Sequence, residues 1–201
     1  MFIQVMHGKC SDAAKLRQRL DVWMESLAAG AEGWLGTTSG VTDDGEAIAV
    51  VRFSSPEAAA ANSARPEQGE WWEATAKTYD GEVSFHDYDD AVTFLEGGSD
   101  DAGFVQVMHG KVPDAAKFRT FMAQPMDQLR AARPEIIGGT VAVADDGDFT
   151  QTIAFTSEAA AREGEKMEMP EEMQQQMAEG MGDMKDITYY DLRNPWLDSP
   201  R

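Results

Sequence analysis

With one cysteine among 201 residues, Cys10, the chain can form no disulfide within itself and has no set of thiolates to hold zinc. Histidine is almost as scarce, at three. Neither a His-x-x-x-His spacing nor a clustered carboxylate motif accompanies it, so no metal site is expected. Positive charge is short as well: 17 Lys and Arg stand against 36 Asp and Glu, for a formal charge of −19. Such a surface is repelled by phosphate backbones and anionic lipid, which excludes nucleic acid and membrane as partners. The charge serves solubility, with a cationic partner the alternative. No apolar run reaches the ~20 residues of a spanning helix. The N-terminus enters a strand pattern without a basic region and long apolar stretch, so no signal peptide is expected and the setting reads as cytoplasmic. Motifs for NAD, flavin, nucleotide or pyridoxal phosphate are missing too.

What is present is a repeat. Phe2-Ile3-Gln4-Val5-Met6-His7-Gly8-Lys9 returns as Phe104-Val105-Gln106-Val107-Met108-His109-Gly110-Lys111. Each copy is followed by an Asp, two Ala, a Lys, a large apolar residue and an Arg, at Asp12 to Arg17 and Asp114 to Arg119. The chain is a tandem duplication. Its 42% hydrophobic and 26% charged residues mark it as globular, with enough length in each half for a small core.

Taken in order, copy one predicts a strand at 2–7 and a helix from Ala13 to about Ala29. The helix carries Leu16, Leu20, Trp23, Met24 and Leu27 on one face. A strand from Trp34 to Thr42, a turn at Asp43-Asp44-Gly45 and a strand from Ala47 to Phe53 follow. Ser54-Ser55-Pro56-Glu57 starts a second helix, Arg65-Pro66 interrupts it, and a last strand covers 82–89. Copy two predicts strands at 104–109, 136–144, 149–155 and 186–192, a helix over 114–132 and helices within 157–183. The domains are then 1–90 and 104–192, with a linker at 91–103, made flexible by Gly97-Gly98-Ser99-Asp100-Asp101, and a tail at 193–201 whose Trp196 packs on the body.

The order β-α-β-β-α-β is ferredoxin-like: an α+β unit with four antiparallel strands and two helices on one sheet face. Ile48 and Val50 alternate with Ala49, Val51 and Phe53, so the sheet is apolar on both sides and needs cover on both. Two units packed sheet to sheet satisfy this. The duplicated pattern, with its Ser-Ser-Pro-Glu-Ala helix start and Trp-bearing second helix, resembles the dimeric α+β barrel superfamily as a fused pseudo-dimer. That superfamily includes antibiotic-biosynthesis monooxygenase-like domains, haem-degrading monooxygenases and chlorite-dismutase-like proteins.

Strand alternation sorts side chains between the helix side and the inter-sheet space. It places Arg52, His86, Tyr88 and Gln4 inward in copy one, and Thr152, Ala154, Tyr190 and Gln106 in copy two. His86 is the candidate acid–base group and Arg52 the candidate cation for a carboxylate or enolate. Gln4, Tyr88, Gln106 and Tyr190 are candidate substrate contacts, with Trp71 or Trp72 an aromatic wall. The plainer alternative pairs Arg52 and His86 with acidic neighbours at the rim. Arg65-Pro66-Glu67-Gln68 either shapes the pocket entrance or only kinks the chain. His7 and His109 precede a Gly in both copies, which reads as shared scaffold capping a turn, with metal ligation the alternative. Met169, Met173, Met177 and Met181 recur at four-residue steps: an apolar helix face, an adaptable lid over an apolar ligand, or a soft-metal stripe.

The haem-using relatives implied by the resemblance carry an Asn on the first strand and a His on the second helix, or an axial His in the C-terminal half. Here the first strands carry Gln4 and Gln106, neither second helix has a His, and His109 lies on the first strand of its copy. No haem, and no other tightly bound cofactor, is expected. The resemblance implies a small-molecule-binding protein, a monooxygenase-like or isomerase-like enzyme for a small aromatic or polyketide-type substrate. A non-catalytic ligand-binding or interaction module is the alternative, as monomer or homodimer.

Overall fold

Four side chains fix where the helices begin, and they match across the duplication. Asp12 accepts a hydrogen bond from the Lys15 amide and Asp114 from the Lys117 amide, both at 2.9 Å. Ser55 and Ser157 accept from Ala58 and Ala160. Each satisfies an amide that the first helical turn leaves without a partner. In the computed structural model, which describes residues 1–95, 97, 100–124 and 127–200 (backbone only for 127 and 128), the chain forms two units. One is Met1–Asp89 with Asn194–Arg201, the other Asp90–Arg193.

The first unit contains β1 (Phe2–Lys9), α1 (Ala13–Ser26), β2 (Trp34–Val41), β3 (Glu46–Phe53), α2 (Pro56–Ser63), α3 (Pro66–Thr75) and β4 (Ser84–Tyr88). The second contains β5 (Ala91–Leu95), β6 (Phe104–Lys111), α4 (Ala115–Met122), α5 (Asp127–Ala132), β7 (Ile136–Val143), β8 (Asp148–Phe155), α6 (Glu158–Glu165), α7 (Glu171–Met181) and β9 (Lys185–Leu192). A last strand, β10 (Trp196–Asp198), joins the first unit. The sheets run β10-β2-β3-β1-β4 and β5-β7-β8-β6-β9, all antiparallel. Each is a ferredoxin-like βαββαβ unit with a fifth strand beside its second strand.

Three expectations are corrected. The stretch expected as a linker contains β5, whose Val92 and Phe94 pair opposite Val141 and Gly139; Gly98 and Ser99 of its glycine-rich run lie outside the described residues. The tail supplies β10, with Leu197 opposite Thr38. The single helix expected over 114–132 is two helices, α4 and α5. Pro125 lies between them in sequence, and a proline has no N–H with which to continue a helix.

Both sheet faces are apolar. Toward the helices, Phe2, Trp23, Leu27, Trp34, Phe53, Ala59 and Trp71 form the first core. In the second unit Phe104, Phe118, Phe149 and Phe155 lead the equivalent cluster. On the opposite faces Ile3, Val5, Ile48 and Val50, and likewise Val105, Val107 and Leu192, are buried.

Candidate functional site

In the first unit a cavity of about 250 Å3 lies between the sheet and its helices. Its floor is Gln4 and Met6 of β1 with Ala49, Val51 and Phe53 of β3. The register explains this grouping: Gln4 is opposite Val51 and Met6 opposite Ala49, and directly opposed residues share a face. Its walls are aromatic. Trp23 from α1 meets Trp34 edge-on at 4.9 Å and Trp71 at 6.5 Å, and Trp72 meets Phe85 of β4 edge-on at 5.3 Å. The indole N–H groups of Trp23, Trp71 and Trp34 donate to Gln68 Oε1 (2.7 Å), the Arg19 carbonyl (2.7 Å) and Thr37 Oγ1 (3.1 Å). The three rings are thereby held in place rather than left as donors, and of them Trp23 and Trp71 line the cavity.

The polar groups of this cavity are oriented by bonds made behind it. Asn62, 8% exposed on α2, accepts from Arg65 Nη1 at 3.0 Å through its Oδ1. Because a guanidinium only donates, this contact fixes the amide's orientation. Nδ2 is then the donor end of this lining residue, with no hydrogen bond to the described residues. Arg65 is itself held by the Leu27 carbonyl (3.1 Å) and Glu67 (3.0 Å). Gln68 repeats the pattern: Oε1 serves Trp23, so its amide nitrogen is the available end. Gln4 donates through Nε2 to Asp87 at 2.9 Å, which leaves its carbonyl oxygen as an acceptor. Among the described residues Asp198, delivered by β10, is the one titratable residue in this lining, and Arg17 grips it through both carboxylate oxygens at 3.2 Å. Gly36, at φ 130°, permits this approach, since a Cβ there would stand 3.0 Å from the Asp198 carbonyl and 2.6 Å from Arg52 Nη2.

The second unit has its own cavity in the equivalent place, about 780 Å3, with different walls. Gln106, Met108, Gln151 and Ile153 form the floor, as their counterparts do in the first unit. The helical wall is methionine: Met173, Met177 and Met181 of α7, with Met122 and Met184.

The nominated residues separate onto two faces. Gln4, Trp71 and Trp72 line the first cavity and Gln106 the second. Arg52, His86 and Tyr88 line neither. Arg52 lies opposite Ile3, Tyr88 opposite Ile3 and His86 opposite Val5, so these three share the face away from the helices. Tyr190, opposite Val107, is on the corresponding face of the second sheet. The inward placement expected for Gln4 and Gln106 is one residue out of phase, and such a slip moves a strand's side chains to the other face. Arg52 donates to Thr38 at 2.9 Å, and His86 is exposed on an edge strand. Trp23, Asn62 and Asp198 line the cavity without having been nominated from the sequence, and Gln68 belongs to the Arg65-Pro66-Glu67-Gln68 segment expected at its entrance. The helix break at Arg65-Pro66 was the one available signal, because it brings Arg65 onto Asn62 and sets Gln68 in the next turn.

His7 and His109 each reach a carboxylate on the neighbouring strand: His7 Nε2 is 2.9 Å from Glu46 and His109 Nε2 3.4 Å from Asp148. Among the described residues no group of three His, Cys, Asp or Glu is placed to hold a metal. Burial pushes the Cys10 thiol up, which keeps it protonated and a weak nucleophile.

No protein-family model matches the chain, and no curated protein matches it. Among solved structures, a provisionally assigned monooxygenase from Lactobacillus acidophilus superposes with a TM-score of 0.75 at 14% identity, covering 98% of this chain and 95% of that one. One from Fusobacterium nucleatum gives 0.73 at 7%, covering 98% and 94%. An anthrone oxidase-like protein gives 0.62 at 11%, covering 100% and 92%. At these identities the likeness establishes the fold alone: along its whole length this chain has the tandem ferredoxin-like α+β architecture of these structures.

Proposed function

We propose that the first cavity binds a planar aromatic molecule of polyketide type, bearing a phenol or enolisable ketone, and supports its oxygenation without a tightly bound cofactor. The observation that carries this reading is the pairing of tryptophan walls with amide donors fixed from behind. Flat apolar walls select a flat ring system, and the Asn62 and Gln68 N–H groups sit where an enolate or phenolate oxygen would be stabilised. The volume exceeds the roughly 150 Å3 that admits a benzene ring and suits a small fused-ring compound. A substrate of this class supplies its own reducing power. Its anion gives electrons to O2, and a ring methylene becomes a carbonyl as CH2 and O2 go to C=O and H2O. The protein's part is to hold the anion, exclude bulk water and keep the ring flat. The anthrone oxidase-like neighbour, as named, belongs to the same substrate class.

The test is oxygen uptake with a polyhydroxylated anthrone as probe, with binding followed by quenching of tryptophan fluorescence. One O2 consumed per quinone formed, above the uncatalysed rate and lost in Trp71→Ala, is the expected result. Arg52→Ala and His86→Ala, off the cavity, should leave the rate unchanged. Quenching with no oxygen uptake above background would sink the catalytic reading and favour a non-catalytic binding protein.

A further inference from the structure

The duplicated helices diverge at the positions that meet a ligand. Asn62 and Gly164 are both the seventh residue of a Ser-capped, eight-residue helix. At Gly164 the side chain is gone, and the space belongs to Arg133 and Glu135: a Cβ there would fall 2.0 Å from Glu135 Oε1 and 2.6 Å from Arg133 Nε. Among the described residues no tryptophan lines the second cavity, and seven methionines do. The second cavity has thus lost the fixed amide and the rigid walls of the first and has about three times its volume. It is not a second copy of the same site.

We propose that the second unit binds a long-chain apolar carboxylate, with its chain along the methionines of α7 and its carboxylate on Arg133. Unbranched thioether side chains repack around flexible hydrocarbon at little cost, whereas tryptophan walls select flat rings. Met173, Met177 and Met181 follow one helix face for about 12 Å, which gives the chain a track rather than a pocket for a single ring. Arg133 lines the cavity and gives its Nε to Glu135. Its two Nη nitrogens make no hydrogen bond to the described residues. A guanidinium already engaged on one edge still offers its other edge to a second carboxylate. Glu135 also fixes that fork in place, with both side chains largely buried. Tyr189, 57% exposed, and Gln176 also line this cavity, as do Phe94 and Phe121.

Binding of cis-parinaric acid to the full chain, read by its fluorescence, tests this directly. Dodecanoic acid should displace the probe at least tenfold more effectively than dodecanol, a comparison that needs no variant. Met177→Trp and Met181→Trp, each narrowing the track, should weaken probe binding tenfold or more. Arg133→Gln should erase the preference for acid over alcohol. Trp71→Ala, which disables the first cavity, should leave all of these unchanged, so the two sites succeed or fail separately. Equal displacement by acid and alcohol in the unaltered protein, or probe binding indifferent to both tryptophan substitutions, would overturn the proposal.

Discussion

Asn62 has its orientation decided by the residue behind it. Arg65 takes the amide oxygen, and only then does the nitrogen become a directed donor. Asn62→Ala removes one preorganised hydrogen bond to a developing oxyanion, an effect of about 100-fold in kcat where such donors have been deleted. The same change should leave fluorescence quenching by the probe within about threefold, because the walls, not the amide, carry ground-state binding. Arg65→Met should give a milder loss of rate together with a loss of stability of about 1.5–3 kcal/mol, since its charged hydrogen bonds also hold the Leu27 carbonyl. Tyr79 offers a test with a pH axis. Burial, and next the nearby Cys10, push its phenol from 10.0 up to about 12. Between those values the unfolded chain sheds the proton and the folded one keeps it. The stabilising contribution is therefore complete below pH 10 and is lost as pH rises through about 12. Urea midpoints measured across that window should fall less steeply in Tyr79→Phe than in the unaltered chain; parallel slopes would refute the assignment.

At the scale of elements, the helix starts, the turns and the order βαββαβ could all be read from residues, because each depends on local chemistry that one side chain supplies. The phase of β1 could not. Phe2, Gln4 and Met6 are no less suited to a core than Ile3, Val5 and His7, so alternation alone leaves two answers. Only the pairing of Gln4 with Val51 decides between them. That half-turn of one strand separates the nominated Arg52 and His86 from the cavity that Gln4, Trp71 and Trp72 line. β10 was illegible for another reason: three residues are too few to show a period. Its contribution is testable. Ending the chain after Arg193 removes the Arg17–Asp198 pair and bares the edge of β2, which leaves unpaired backbone groups open to association. A melting temperature lower by about 3–12 °C is expected, from 1.5–3 kcal/mol of charged hydrogen bonding at 2–4 °C per kcal/mol. Asp198→Asn, which keeps the strand, should lose only part of this.

For the whole molecule, sequence order and sheet order part company at both ends of the second unit. β5 follows the first ferredoxin-like unit directly, yet it pairs with β7; β10 follows the second, yet it pairs with β2. A cut between Asp89 and Asp90 therefore leaves the first unit without its fifth strand, which stays attached to the other fragment. That strand carries Asp198 to the first cavity and Trp196 to the Arg17 guanidinium, 5.8 Å above the indole ring. Two fragments, 1–89 and 90–201, should accordingly co-purify when expressed together. Fragment 1–89 alone should be less stable, prone to associate through its open β2 edge, and deficient in quenching by the aromatic probe. Adding fragment 90–201 should restore quenching, and restoration should fail when that fragment carries Asp198→Ala with Trp196→Ala. Independent elution of the two pieces, with full probe binding by 1–89 alone, would show that the exchanged strand contributes nothing to the first site.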